Sequence, residues 1–251
     1  MLSRWLGKLW GAPKPEPVPR PEGAAAPQEP APGRGTLRFE RLPETRREGK
    51  AVAGLLGARL WAGDEATRRR LLDYRGPRVL HLATQGYFLS EPQREPGPGG
   101  GVGRAPDLRW ESPLLLCGLA LAGANRRPAA EAAEGLLTGR DVSGLDLLGT
   151  ELVTLSASEA ATVGGTGRSL SVLQRCFLLA GARTLLLSLW RGPEPQRQEL
   201  LADFYRRILA GQPRAEALRE AKLALKARHP DPLHWGALVC YGEPGALTKG
   251  R

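Results

Sequence analysis

Four short apolar runs constrain this chain most: Val79 to Ala83, Glu151 to Leu155, Thr184 to Leu189 and Leu238 to Tyr241. Each is too short for a buried helix and lacks polar alternation, so each reads as a strand covered on both faces, the condition of a parallel sheet. Helical patterns fill the intervals. Leu170, Leu173, Phe177 and Ala180 share one helix face, Leu200, Leu201, Phe204, Tyr205, Ile208 and Leu209 form a wide apolar stripe, and Ala215 to Ala227 ends before Pro230, where a helix interior would lose a hydrogen bond. Upstream, Glu44 to Leu56 reads as a helix, Asp64 to Tyr74 as another opening on Asp64 or Thr67, and Ser112 to Leu121 as further ordered structure. Strands alternating with helices predict an α/β fold, a mostly parallel sheet covered by helices on both faces.

A chain of 251 residues, 41% hydrophobic and 25% charged, is long enough for one substantial core. The folded domain is expected over 36–245, with a tail at 246–251. Residues 11–35 are rich in Pro and Ala with almost no large apolar side chain, and such a segment cannot offset its ordering entropy, so it reads as a disordered linker. Ahead of it, in residues 1–10, Leu2, Trp5, Leu6 and Leu9 fall on one helical face with Arg4 and Lys8 off it. That short amphipathic helix is below the roughly 12 to 15 residues an isolated helix needs, so it would form only against a membrane or partner, through Trp5, Leu6, Leu9 and Trp10. Gly97 to Gly103, flanked by Pro96 and Pro98, reads as a surface loop.

No apolar run approaches the roughly 20 residues that span a bilayer. The three cysteines, Cys117, Cys176 and Cys240, form no CxxC pair, and no segment has the pattern of a signal peptide, which points to a reducing, cytoplasmic setting, with peripheral contact at the inner membrane face through the N-terminus. The formal charge of +10 is scattered, with Arg46-Arg47, Arg68-Arg69-Arg70, Arg126-Arg127 and Arg206-Arg207 in different elements, so these runs read as solvated faces and no nucleic-acid partner is expected. Three dispersed histidines and no acidic cluster at ligand spacing imply no metal, and no cofactor motif is present. Gly164-Gly165-Thr166-Gly167 lacks the Gly-Lys-Ser/Thr ending of a phosphate loop, which argues against a phosphate site there. Richness in Ala, Arg, Gly and Pro suggests a GC-rich bacterial genome.

Several ordered motifs carry a resemblance. Leu42-Pro43-Glu44-Thr45-Arg46-Arg47-Glu48 is followed by Val79-Leu80-His81-Leu82-Ala83-Thr84-Gln85-Gly86-Tyr87-Phe88, then Ser112-Pro113-Leu114-Leu115, Gly135-Leu136-Leu137-Thr138, Asp146-Leu147-Leu148-Gly149-Thr150-Glu151-Leu152-Val153 and Leu155-Ser156-Ala157-Ser158-Glu159. Ala180-Gly181-Ala182-Arg183, Ser188-Leu189-Trp190 and Phe204-Tyr205-Arg206 come last. From about Leu42 to Gly242 the chain resembles the CHAT domain family, caspase-like cysteine peptidases of clan CD. The resemblance implies a caspase-like fold and a histidine and cysteine dyad at the positions held here by Gln85 and Ser158. It also implies a peptide groove around Gly86, Ser156, Ala157, Glu159, Gly167, Arg168, Ser188 and Trp190. Many members carry tetratricopeptide-type helical repeats upstream; the first 35 residues here are too short and proline-rich for one, so a regulatory array is expected on a separate helical-repeat protein.

The chemistry of the two substitutions points one way. An amide has no useful proton equilibrium, and a hydroxyl is a weak nucleophile without an adjacent base. Arg168 stands where the family usually shows a glutamate in a Gly-Glu-Gly run, which reverses the local charge. His81, four positions before Gln85 and also found in the family, reads as structural; His229 and His234 read as packing, capping or solvated groups, and the cysteines as core residues. The reading is therefore a catalytically inactive CHAT-like pseudopeptidase, leaning away from an enzyme. It would bind a peptide or protein, such as an active CHAT relative, as regulator, decoy or scaffold in a bacterial signalling or protease system. Two alternatives stay open: a peptidase using Ser158 with a non-standard or partner-supplied base, and an adaptor working through its N-terminal segment.

Overall fold

Helix α1 (Pro43–Leu56) shows why this chain packs as it does: Pro43 stands in its first turn, and Gly57 ends it with a left-handed φ of 60°, a conformation glycine adopts without steric cost. The computed structural model describes residues 37–89, 113–126, 134–156, 158–162 and 167–248, with the backbone alone at 113, 158–162 and 167–170. The N-terminal helix and linker, the Gly97 to Gly103 loop, Ala157 and most of the Gly164 to Gly167 run lie outside the described residues, as does the side chain of Leu170.

A 3-10 turn at Gly63–Glu65 precedes α2 (Arg68–Asp73), whose N-cap Thr67 accepts from the Arg70 N–H. The single helix expected from Asp64 to Tyr74 is thus broken at Ala66, and of the two expected openings Thr67 is the one that caps a helix. Strands β1 (Val79–Leu82) and β2 (Gln85–Phe88) follow, then a 3-10 turn at Pro113–Leu115, β3 (Cys117–Ala120) and β4 (Leu136–Thr138). Next come α3 (Gly139–Ser143), β5 (Leu152–Leu155), β6 (Ser158–Thr162), α4 (Gly167–Leu179) and β7 (Thr184–Ser188). The chain closes with α5 (Glu194–Leu209), α6 (Arg214–Arg228), α7 (Pro232–Trp235) and β8 (Leu238–Gly242).

The main sheet has the order β1-β5-β7-β8, parallel across the first three strands and closed by antiparallel β8. Its two faces are covered by different helices. Leu80, Val153, Leu155, Leu185 and Leu187 pack with Leu173, Cys176 and Phe177 of α4, while Leu152, Leu186 and Leu238 pack with Val52 of α1 and with Leu200, Phe204 and Ala217 of α5 and α6. The α/β architecture with helices on both faces is that expected from the sequence. Each fully buried Leu or Phe of these clusters contributes roughly 1.5 to 3 kcal/mol relative to exposure. Leu209 differs from expectation: it is 48% exposed, because one step of about 100° past Ile208 carries it off the buried stripe.

The second sheet, β4-β3-β2-β6, has antiparallel β2-β3 and β3-β4 pairs and a parallel β2-β6 pair. It continues two strands of the main sheet, since β1 leads into β2 and β5 into β6. At the opposite end, Glu151 accepts from Arg78 Nε at 2.7 Å and from Thr248 N and Oγ1 at 2.6 Å each. Buried Arg214 donates to Glu151 O at 2.5 Å and Gly245 O at 2.8 Å, so the chain stays attached as far as Thr248. Among the described residues no helix is long and apolar enough to cross a membrane.

The carboxylates of this framework make its stability acid-sensitive. Burial raises the pKa of Glu151, but hydrogen bonds from Thr248 and Arg78 outweigh it and leave the net value lowered. Asp141 likewise ends below its ordinary value, burial being outweighed by Arg68, which grips it at 2.6 and 3.1 Å, and by Thr138. A carboxyl whose folded pKa lies below its unfolded value stabilises the fold above the unfolded value, about 4, and that contribution disappears as pH falls through the folded value. Unfolding free energy, measured by urea titration, is expected to stay level from pH 7 to 5 and decline below about 4, with a shallower decline in Glu151→Gln. A level profile down to pH 3 would contradict this account.

Candidate functional site

The two parallel strand pairs keep a common register across the gap between the sheets. Val79 lies opposite Leu152, Leu82 opposite Leu155, and three residues on in both strands Gln85 lies opposite Ser158. Because the chain between β1 and β2 is as long as that between β5 and β6, the ladder resumes in step. Gln85 and Ser158 therefore stand side by side on adjoining strands, at the roughly 4.8 Å spacing of paired strands. The register then slips: Gly86 lies opposite Ala160, leaving Glu159 as an extra residue on β6. Bulges of this kind re-aim side chains and gather beside functional sites. On its other side Gln85 lies opposite Ala120 of β3, and the Thr84 hydroxyl donates to the Ala120 carbonyl.

The remaining expected groove residues surround this point in part. Gly86 is buried in β2, and Ser156, 1% exposed, follows β5 and donates its N–H to Leu82 O at 3.0 Å. Ser188 ends β7 and donates its hydroxyl to Trp190 O at 2.8 Å, and Trp190 is 37% exposed. These belong to strand ends on the same side of the sheet, since β1, β5 and β7 run parallel. Glu159, Gly167 and Arg168 are described by backbone only, in β6 and the first turn of α4, and Ala157, Trp5, Leu6, Leu9 and Trp10 lie outside the described residues.

His81 is committed elsewhere. On β1 it lies opposite Thr154, on the face covered by α1 and α5, and four residues at about 3.3 Å each separate it along the strand from Gln85. Its Nε2 meets Glu48 Oε1 at 2.8 Å and its Nδ1 meets Tyr205 Oη at 2.9 Å. Tyr205 Oη in turn meets Thr154 Oγ1 at 2.7 Å, and Arg197 Nε donates to Glu48 Oε2 at 3.3 Å. Thr154, Tyr205, His81 and Glu48 thus form one continuous hydrogen-bonded chain, and each link polarises the next.

Glu48 and Arg197 are almost fully buried, with side chains 1% and 5% exposed. Burial raises the Glu48 pKa, but the hydrogen bond and charge of His81, then Ser156 and Arg197, outweigh it, so the carboxyl is held below its ordinary value. Ser156 Oγ has no hydrogen-bond partner of normal geometry among the described residues, yet its nearness helps keep Glu48 ionised.

The sequence reading assigned no role to the Glu48 and Arg197 side chains and so missed this buried network. A signal did exist: Glu44 and Glu48 precede Val52 at four-residue intervals, on the face that α1 buries. His229 caps the end of α6 and stacks on His234 with ring centres 5.1 Å apart. The cysteines are free; Cys117 and Cys176 are buried and Cys240 half-buried, and burial pushes the Cys117 thiol up to about 12.

A family model described as "CHAT domain" matches residues 11–243. Tetratricopeptide repeat protein 28 of Homo sapiens and that of Mus musculus are each 28% identical to the chain over 219 residues, covering 83% of it and 9% of their own length. The chain thus spans about a tenth of the length of these curated relatives.

Proposed function

The chain belongs to the CHAT domain family, and we propose that within it this protein is a pseudopeptidase, which holds an extended peptide or a protein partner without cutting it. The observation that carries this reading is the pair Gln85 and Ser158, register partners on β2 and β6. The strands that would bring a base beside a nucleophile are kept, and the side chains at those two positions supply neither an imidazole nor a thiol. A fold outlives its chemistry because core packing and site chemistry are held by different residues. His81 offers no substitute base, since both ring nitrogens are engaged by Glu48 and Tyr205. In a catalytic unit of this type, loss of one member costs about 10⁴ to 10⁶ in rate and loss of a second adds little. Once one of the two had changed, the other was under little constraint.

The role that follows is regulator, decoy or scaffold for a protease or signalling system, in a bacterial cytoplasm, with contact to a partner or membrane through Trp5, Leu6, Leu9 and Trp10. The test is N-terminal proteomics on lysate incubated with wild type, with Ser158→Ala and with the double variant Gln85→His/Ser158→Cys. New peptide ends are expected only with the double variant, the sign of a working groove without its chemistry. Ends from wild type that vanish in Ser158→Ala would overturn the reading in favour of a serine-dependent peptidase. A folded double variant that neither cleaves nor binds peptide would remove the groove.

A further inference from the structure

Among the described residues strand β1 is an edge of the main sheet, pairing with β5 alone, and Arg78 O and Leu82 O accept from Leu152 and Ser156 of the β5 segment. In a parallel ladder the bonding residues alternate, so the N–H and C=O groups of Val79 and His81 face away from β5. Among the described residues no hydrogen bond reaches these four groups. Sheet edges are managed by short strands, Lys, Pro, bulges or a covering helix or loop; Val79-Leu80-His81-Leu82 is short and buried or half-buried, and it contains no Lys, Pro or bulge.

An apolar hollow of about 160 Å³ lies along this edge. Its wall includes all four consecutive residues of β1. Successive side chains point to opposite faces of a sheet, so a hollow touching all four runs beside the strand and not over one face. Val52 and Ala53 of α1 and Leu60 of the following loop form part of the remaining wall, and Leu121, just past β3, also lines it. A second opening of about 380 Å³ shares Arg59, Leu60, Trp61 and Tyr74 with it and leads to the charged side chains of Glu65 and Asp73. β3 takes the side of β2 that corresponds to this empty side of β1, since Gln85 lies between Ala120 and Ser158. A strand place that is filled beside β2 is thus taken by none of the described residues beside β1.

We propose that this place is a docking site for an extended segment of a partner protein, which adds to the free edge of β1 as a further strand and seats an apolar side chain in the hollow. The backbone groups choose the occupant. Unpaired N–H and C=O groups recurring at alternate residues are matched by another extended backbone, whereas a helix has its own groups already bonded. The hollow has room for several waters, but its mainly apolar wall gives them few partners, so a branched or aromatic side chain is favoured there. The site lies beside β1, away from the Gln85 and Ser158 pair, and does not depend on that pair's chemistry.

The test presents the immobilised full chain to a displayed library of random twelve-residue peptides and measures the affinity of those selected. Two variants read the site independently. Val79→Pro removes an edge N–H that takes no part in the β1-β5 ladder, and a proline is tolerated at such a position. Ala53→Trp fills the hollow from α1. Selected peptides are expected to alternate apolar and polar residues and to bind each variant about tenfold more weakly or worse. N-methylation of the peptide backbone is expected to abolish binding at every second position. Absence of any binder, binding unchanged in both folded variants, or an N-methyl scan without a period of two would each overturn the proposal. Peptides lost instead on Arg168→Glu, with Val79→Pro unaffected, would support the groove of the proposed function and overturn this site.

Discussion

Gly118→Ala is expected to lower the unfolding free energy by about 3 kcal/mol, near the upper end of what one inserted methyl costs a packed interior. Gly118 lies in β3 between Tyr87 of β2 and Thr138 of β4. A methyl there would overlap the Leu137 carbonyl oxygen and come within 2.7 Å of Tyr87 Oη and 2.8 Å of its ring. Leu137 is backbone in a paired strand, and Tyr87 is fully buried, so neither can move aside cheaply. For a domain of this size the loss corresponds to a fall of roughly 6 to 12 °C in Tm. The main sheet has its own two clusters on either face, so the damage should fall on the second sheet and free β2 from β3 beside Gln85. Cleavage restored by Gln85→His/Ser158→Cys should then be lost when Gly118→Ala is added. A melting temperature within about 1 °C of wild type would mean that β3 is not packed as described.

What could be read from the sequence divides along physical lines. The core strands β1, β5, β7 and β8 and the helices α1, α5 and α6 were legible, because each is written as an apolar run or a long periodic stripe whose burial does not depend on a distant partner. Strands β2, β3 and β4 were not. Gln85–Phe88, Cys117–Ala120 and Leu136–Thr138 are only three or four residues long, and two of them contain glycine; their extended state comes from pairing with one another, which no local pattern announces. The nearness of Gln85 and Ser158 was implied by resemblance alone; the common register of the β1-β5 and β2-β6 pairs gives it a cause. Charge was legible in runs and not in single residues. Arg46, Arg47, Arg69 and Arg70 are exposed as expected, and Arg68 is held by Asp141. The isolated Arg197 and Arg214 are 5% and 2% exposed, and nothing in their neighbours marks them as interior.

Removing one partner from the Glu48 and Arg197 pair is expected to cost the fold more than any surface change. Arg197→Met leaves Glu48 with His81 as its remaining ionisable neighbour, and about 3 kcal/mol should be lost; Glu48→Met strands the Arg197 guanidinium and the His81 Nε2–H together and should cost about 4 to 5 kcal/mol. The double variant Glu48→Met/Arg197→Met removes both charges, so its cost should fall at least 1 kcal/mol short of the sum. Single costs that add within about 0.5 kcal/mol would show that the two side chains are not coupled. The pH response carries a second sign. Without Arg197 one of the effects holding the Glu48 carboxyl down is gone while its burial stays, so its folded pKa rises and the acid loss of stability should begin at a higher pH than in wild type. The same network bears on catalysis. If His81 is only a strut between Glu48 and Tyr205, then His81→Phe in the Gln85→His/Ser158→Cys background should lower Tm while leaving the pH profile of kcat/KM unchanged. A profile displaced by that substitution would instead make the His81 imidazole part of the proton path.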